Sequence, residues 1–100
     1  MSIYVKIHKT QFRKIIAICD SDLIGKKFED GKMQLEIKPS FYNGEIKNDK
    51  EVLKLIKKGA VENSTFNIVG RESVNLCVLA KLIDANGVIE ISGIPHAIVF

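Results

Sequence analysis

The stretch TFNIVGRESVNLCVLAKLI, residues 65–83, decides the fold that this sequence predicts. It opens with a short apolar run of β-favouring residues, which predicts a buried strand. Gly70 ends the run at a point where the chain must turn sharply. From Arg71 onward the apolar residues recur every three or four positions, which is the spacing of a helical face, so we expect a helix over 71–83.

A turn at residues 84–87 and an apolar segment at 88–91 follow this helix. Asn86 or Gly87 is expected to take the left-handed conformation that ends it. The apolar segment predicts a second strand, and strand, helix and strand within about 27 residues are typical of a βαβ unit. The two strands of such a unit run parallel, because the helix carries the chain back to the end from which it started.

The segments before this unit predict a β-hairpin, a third strand and another helix. Residues 3–8 alternate between apolar and polar side chains and predict a half-exposed strand, whereas 15–19 are apolar throughout and predict a strand buried on both faces. A short connection makes these two strands antiparallel neighbours. Alternation predicts a strand over 33–38, with connections at 26–32 and 40–44, and Asn48 or Asp49 is expected to cap a helix that Gly59 closes.

The predicted fold class is therefore α+β, with an α/β-like arrangement in two or three layers. Its mixed sheet contains the N-terminal β-hairpin and the central βαβ unit, and its two main helices cover about 49–58 and 71–83. One hundred residues fit a single domain, 1–100, which can bury a core without disulfides or metals.

Composition places the chain among globular proteins, since 46% of its residues are hydrophobic and 27% are charged. We expect no signal peptide, and no segment approaches the ~20 apolar residues of a membrane span. Cys19 and Cys77 are far apart in apolar surroundings, which is typical of reduced core thiols in a cytosolic protein. The sequence therefore predicts a cytoplasmic protein without membrane contact.

The net charge of +3 is unevenly distributed along the chain. Residues 1–58 contain 13 Lys and Arg against 8 Asp and Glu, a net charge of +5, whereas residues 59–100 contain 2 against 4, a net charge of −2. A basic half favours an acidic partner such as RNA. A lysine-rich composition that reflects an AT-rich genome or a warm habitat is the alternative explanation.

Six short motifs follow one another along the chain: YVKIH (4–8), AICD (17–20), LIGKKFEDG (23–31), FYNG (41–44), NIVGRE (67–72) and GIPHA (93–97). Their order resembles that of a small archaeal family, domain of unknown function 424 (DUF424), and the resemblance covers nearly the whole chain. It implies an archaeal cytosolic protein with an α/β sandwich-like fold, and it implies no particular activity. It also implies an association with translation and ribosome biogenesis.

Gly70 and Arg71 form a candidate anion-binding site at the start of the predicted helix. Free backbone N–H groups, the helix dipole and a guanidinium converge there. The competing interpretation is an ordinary strand-to-helix turn, because the adjacent Glu72 would repel an anion.

The basic half contains a candidate surface for nucleic acid or a protein partner. Two adjacent aromatic residues in a turn can stack on a base, or they can cover the end of the core. Lysines near them would contact phosphates. The residues assigned to this surface are Lys26, Lys27, Phe41, Tyr42, Lys47 and Lys50. The segment around Gly25 lacks the pattern of a phosphate-binding P-loop, so nucleotide hydrolysis is excluded.

His8 and His96 each lie near the end of a predicted strand, and together they suggest a polar patch at one sheet edge. Hydrogen-bonded histidines at strand ends are the competing interpretation. No His or Cys has the spacing of metal ligands, so no metal is expected. No nucleophile–base pair or carboxylate pair can be assembled, so no catalytic residue and no cofactor is assigned.

We therefore expect a non-enzymatic binding module that contacts RNA or a ribosomal particle through its basic half. Two alternatives stay open. One is a small-ligand-binding protein or enzyme whose site is the Gly70–Arg71 turn. The other is a protein–protein adaptor, or a homodimer that pairs through the C-terminal strand, which the apolar run at residues 96–100 predicts.

Overall fold

The structure is a computed structural model that describes residues 2–100, within which eight strands and three α-helices are present. The strands are β1 (Ile3–Lys9), β2 (Lys14–Asp20), β3 (Lys27–Asp30), β4 (Met33–Glu36), β5 (Glu45–Lys47), β6 (Thr65–Val69), β7 (Ile89–Ile91) and β8 (Ile94–Val99). The helices are α1 (Pro39–Tyr42), α2 (Asp49–Val61) and α3 (Arg71–Leu79). Single 3-10 turns occur at Ser21–Leu23 and Ala85–Gly87.

Six of these strands form one mixed sheet in the order β5-β1-β2-β6-β8-β7. β1 and β2 form the predicted antiparallel hairpin, and β2 lies inside the sheet, as its continuous apolar run predicts. β2 and β6 are parallel neighbours, with Ile18 beside Ile68. The other adjacent pairs are antiparallel, so the predicted α+β class with a mixed sheet is confirmed.

The predicted βαβ unit consists of β6, α3 and β7, and β8 lies between its two strands in the sheet. Both β6 and β7 are antiparallel to β8, so they run parallel to each other as expected. β8 lies between them because the chain reverses after β7 at Ser92 (φ 54°) and Gly93 (φ 80°). This tight turn sends the last strand back between β6 and β7.

The helix of this unit ends four residues earlier than the sequence predicts, at Leu79. Lys81 takes the left-handed conformation (φ 61°), so the assignment of that role to Asn86 or Gly87 was wrong. The N–H of Leu82 donates to the carbonyl of Cys77, and the N–H of Lys81 donates to that of Val78. These two bonds form a Schellman motif, which turns the chain so that Leu82 packs against the core from outside the helix.

Helix α2 begins as predicted and ends later than predicted. Asn48 is its N-cap, and the side chain of Glu51 accepts from the Asn48 backbone in a capping box. Gly59 does not close this helix but lies inside it, where a Cβ atom would stand 2.6 Å from Cδ1 of Ile16. The glycine therefore lets the helix approach the sheet closely, and α2 continues to Val61.

Two hydrophobic clusters fill the space on either side of the sheet. The first lies under α2 and α3 and is centred on Phe66, Ile18 and Ile56. The second lies on the opposite face, beneath the β3–β4 hairpin and α1. Segments 26–32 and 40–44, expected to be connections, contribute β3 and α1 to this third layer, which corrects the prediction. No helix in the described part of the chain is long and apolar enough to cross a membrane.

Candidate binding site on the sheet face opposite the helices

The sheet face turned away from α2 and α3 carries most of the polar side chains of the inner strands. Side chains alternate along each strand, so this face receives His8 from β1, Asn67 from β6 and His96 from β8. The register places Asn67 beside Ala17 of β2 and Ile98 of β8. Because helix α1 packs on β1 and β2, its aromatic residues reach the same polar groups.

Asn67 is the centre of a hydrogen-bonded triad. The hydroxyl of Tyr42 donates to its Oδ1 at 2.6 Å, and Nε2 of His96 lies 3.2 Å from the same oxygen. A carbonyl oxygen only accepts, so Nε2 of His96 carries the proton in this arrangement. Burial lowers the pKa of His96 below its usual value. The pKa of Tyr42 is raised to about 12, chiefly by burial and to a smaller extent by the neighbouring Cys19. The triad is therefore uncharged at neutral pH.

His8 joins this triad through the aromatic pair. Its imidazole stacks on Phe41 with ring centres 4.6 Å apart and 16° between the planes, and its Nε2 donates to the Phe41 carbonyl at 2.9 Å. Phe41 in turn meets Tyr42 edge to face at 4.9 Å. The two histidines and the two aromatic residues, which the sequence assigns to separate sites, thus form one connected cluster.

The relative position of His8 and His96 in the sheet differs from the one that the sequence suggests. They do not lie at one sheet edge, because β2 and β6 separate β1 from β8. Tyr42 is only 4% exposed, so its ring covers the core, which was the competing interpretation for this residue. Phe41 is half-buried with one ring face against His8. Binding by these residues stays a prediction.

Asn67 is the site residue that sequence reasoning missed. Its signal was present, since it is the one amide in the strand TFNIV and lies between the apolar residues Phe66 and Ile68. A polar side chain in the middle of an inner strand needs a hydrogen-bond partner. Here Tyr42 and His96 supply it from elements that are distant in the sequence.

The predicted anion site at Gly70 and Arg71 already holds a carboxylate from the same chain. Oδ1 of Asp20 accepts from the N–H and the hydroxyl of Ser73 at 2.8 and 2.7 Å, and Oδ2 accepts from the N–H of Glu72 at 3.1 Å. Asp20 is 5% exposed. The backbone N–H groups that were expected to bind an anion therefore donate to Asp20, and these bonds stabilise the start of α3. Binding of an external anion there stays a prediction.

The four lysines assigned to the basic surface stand on three different elements. Lys26 and Lys27 are exposed at the start of the β3–β4 hairpin, and Lys50 is exposed in the first turn of α2. Lys47 of β5 lies 3.3 Å from a carboxylate oxygen of Glu45. Within residues 2–100, no group of three or more His, Cys, Asp and Glu is arranged to hold a metal ion.

The proposed dimer strand, β8, has neighbours on both sides, and the sheet edges are β5 and β7. β7 pairs only with Ile94–His96, however, so the last residues of β8 have a neighbour on the β6 side alone. Pairing across a subunit edge through these residues stays a prediction.

The fold is thus a mixed six-stranded sheet with helices α2 and α3 on one face and the β3–β4 hairpin on the other. The chain belongs to the family described as protein of unknown function (DUF424), whose model matches residues 8–100, and this confirms the resemblance drawn from the order of motifs. The chain is similar to the crystal structure of an uncharacterized conserved protein from the archaeon Methanopyrus kandleri. The TM-score is 0.89 and the identity 25%, over 99% of this chain and 90% of that one. No functionally curated protein matches this chain.

Proposed function

We propose that this protein is a non-enzymatic binding module that contacts RNA, free or within a ribosomal particle, through cations of its first 58 residues. One observation carries the proposal. Helix α2 buries Val52 and Ile56 on its inner face and presents four exposed lysines on its outer face. These lysines are Lys50, Lys54, Lys57 and Lys58.

These lysines form a continuous stripe. Their spacing of four, three and one residues places them on one side of a helix, over a length of about 12 Å at 1.5 Å per residue. The acidic residues of the first turn, Asp49 and Glu51, lie at the N-terminal end of the stripe, where the helix dipole favours them. The central and C-terminal parts of the stripe are therefore cationic and suited to a phosphate backbone.

The proposal predicts salt-sensitive binding. Fluorescence anisotropy of a labelled single-stranded RNA should show binding at low salt, with an association constant that falls steeply as salt rises. The double variant Lys54→Gln/Lys57→Gln should bind more weakly and reduce the slope of log K against log salt by about 1.4, since each lost phosphate contact on a single strand contributes about 0.7.

Arg71→Gln/Lys81→Gln is the matched control, because it removes the same charge from exposed positions outside the first 58 residues. This control should keep the slope of the unmodified protein. Binding that is undetectable at low salt or indifferent to salt, or equal loss in the two double variants, would refute the role given to the α2 stripe.

A further inference from the structure

One end of the sheet exposes two phenyl rings to solvent. Phe12 lies in the turn between β1 and β2 and is 88% exposed, and Phe100 directly follows β8 and is 90% exposed. Ile15 pairs with Thr65, and Phe66 pairs with Val99, so both rings lie at the end of the sheet where β2 and β6 begin. Exposed phenyl rings leave a large apolar area in water that a partner can cover.

The turn that carries Phe12 is ordered by the side chain of Thr10. Its hydroxyl oxygen accepts from the N–H groups of Phe12 and Arg13 at 3.3 and 3.1 Å, and the hydroxyl donates to the Arg13 carbonyl at 3.0 Å. The N–H of Thr10 donates to the same carbonyl at 2.9 Å. The ring is thus held out on a fixed support, which reduces the entropy lost when it stacks on a partner.

Cations surround this turn. Nζ of Lys14 lies 3.0 Å from Oε1 of Glu62. The pKa of Glu62 is lowered chiefly by this hydrogen bond, and the charges of Lys58 and Lys9 lower it further. Nη1 of Arg13 lies 3.5 Å from the hydroxyl of Thr65. Three cations, Lys9, Lys14 and Lys58, therefore gather around a single carboxylate, and Lys58 belongs to the lysine stripe of α2 as well.

We propose that this end of the sheet, defined by Phe12, Phe100, Lys9, Arg13, Lys14 and Lys58 and called the aromatic end, binds single-stranded RNA. Phe12 stacks on an unpaired base while the cations hold the adjacent phosphates. The bases of a duplex are stacked on each other and closed to a protruding ring, so duplex RNA would meet the cations alone. The inference rests on the function proposed above and names the surface that receives the bases.

The test compares Phe12→Ala with Ile89→Ala. Ile89 is also an exposed apolar residue, but β7 carries it to the opposite end of the sheet, level with His96 and Val69. Phe12→Ala should weaken binding of a 12-nucleotide oligouridine by roughly 5- to 150-fold, the range for loss of one stacked base, without changing the salt slope. Ile89→Ala should bind like the unmodified protein, and circular dichroism should show both variants folded.

A second measurement uses the absence of tryptophan from the sequence. Phe12→Trp should bind the oligouridine, and its emission should be quenched on binding because the indole stacks on a base. Ile89→Trp should show no quenching. For an RNA hairpin with a fully paired stem and a short loop, the affinities of Phe12→Ala and of the unmodified protein should differ less than they do for oligouridine.

The outcomes separate the two proposals. If the unmodified protein does not bind oligouridine at low salt, the proposed function and the aromatic end fail together. If it binds, but Phe12→Ala stays within twofold of Ile89→Ala and Phe12→Trp is not quenched, only the aromatic end is refuted. Weakened binding by Phe12→Ala together with quenching of Phe12→Trp supports it.

Discussion

The carboxyl group of Asp20 occupies the space in which a side chain at position 70 would begin. Gly70 has a φ of 110°, and a Cβ atom built on it would collide with the Asp20 side chain. The same carboxylate accepts three hydrogen bonds from the first turn of α3. The end of β2, the end of β6 and the start of α3 are thus fixed to one another by a single pair of residues.

Asp20→Ala is expected to lower the free energy of unfolding by about 2 kcal/mol, because it leaves buried donors of Ser73 without an acceptor. Urea denaturation measures this change. Asp22→Ala, which removes an exposed carboxylate two residues away, is the control and should alter stability by less than about 0.5 kcal/mol. Equal effects of the two substitutions would show that the Asp20 carboxylate does not hold the helix start.

Gly70→Ala should destabilise the protein by about 2 kcal/mol or more, because it combines a backbone conformation that favours glycine with the collision against Asp20. In a protein that already carries Asp20→Ala, the collision is gone and the additional cost should be smaller. A double-mutant cycle in urea measures this coupling. Gly87→Ala, at a position with open space around it, is the control and should cost less than about 1 kcal/mol; additive effects at positions 20 and 70 would contradict the close approach.

Tyr42→Phe should lower the free energy of unfolding by about 1 kcal/mol, since it removes the hydrogen bond to Asn67 and keeps the buried ring. Tyr4→Phe removes a hydroxyl from a half-buried ring on β1 and should have a smaller effect. Thermal unfolding followed by circular dichroism compares the two variants. The triad has no stabilising role if Tyr42→Phe unfolds at the same temperature as the unmodified protein.

His96 should make stability depend on pH near neutrality. Its folded-state pKa lies below the usual value of 6.5 because burial disfavours the charged imidazole. The unfolded chain therefore binds the proton more readily, and stability should fall as the pH drops from 7.5 through 6.5 toward 5.5. His96→Gln should flatten this part of the profile of free energy of unfolding against pH, whereas His8→Gln, with His96 intact, should keep it. A slope unchanged in His96→Gln would assign the dependence to another group.

Both thiols should be unreactive in the folded protein. Burial raises the pKa of Cys77 to about 12, and burial together with the charges of Asp20 and Asp22 raises that of Cys19 to about 12. Little thiolate is then present at pH 8. A disulfide reagent should modify neither residue in the native state and two thiols per chain in urea. Rapid modification without urea would mean that one thiol is accessible.

The local pattern of the sequence was sufficient where each strand or helix makes its own signal. Alternation identified β1, the continuous apolar run placed β2 inside the sheet, and Asn48 or Asp49 indicated the start of α2. These features depend on contacts within a few residues or on a single hydrophobic period. The order of six short motifs also identified the family.

Features that depend on residues distant in the chain needed the tertiary structure. No local rule places β8 between β6 and β7, and Gly59 looks like a helix end until Ile16 is found packed against it. The donors at the start of α3 suggest an anion site, but Asp20 reaches those of Ser73 from 53 residues away in the chain. Likewise, Asn67 gains its meaning only when Tyr42 and His96 arrive beside it. The sequence by itself thus determined the strands other than β3 and β5, the two main helices and the basic half, because these follow from backbone preference and hydrophobic period. Only the tertiary structure decided which polar groups satisfy one another and which remain exposed, because that depends on which strands become neighbours in the sheet.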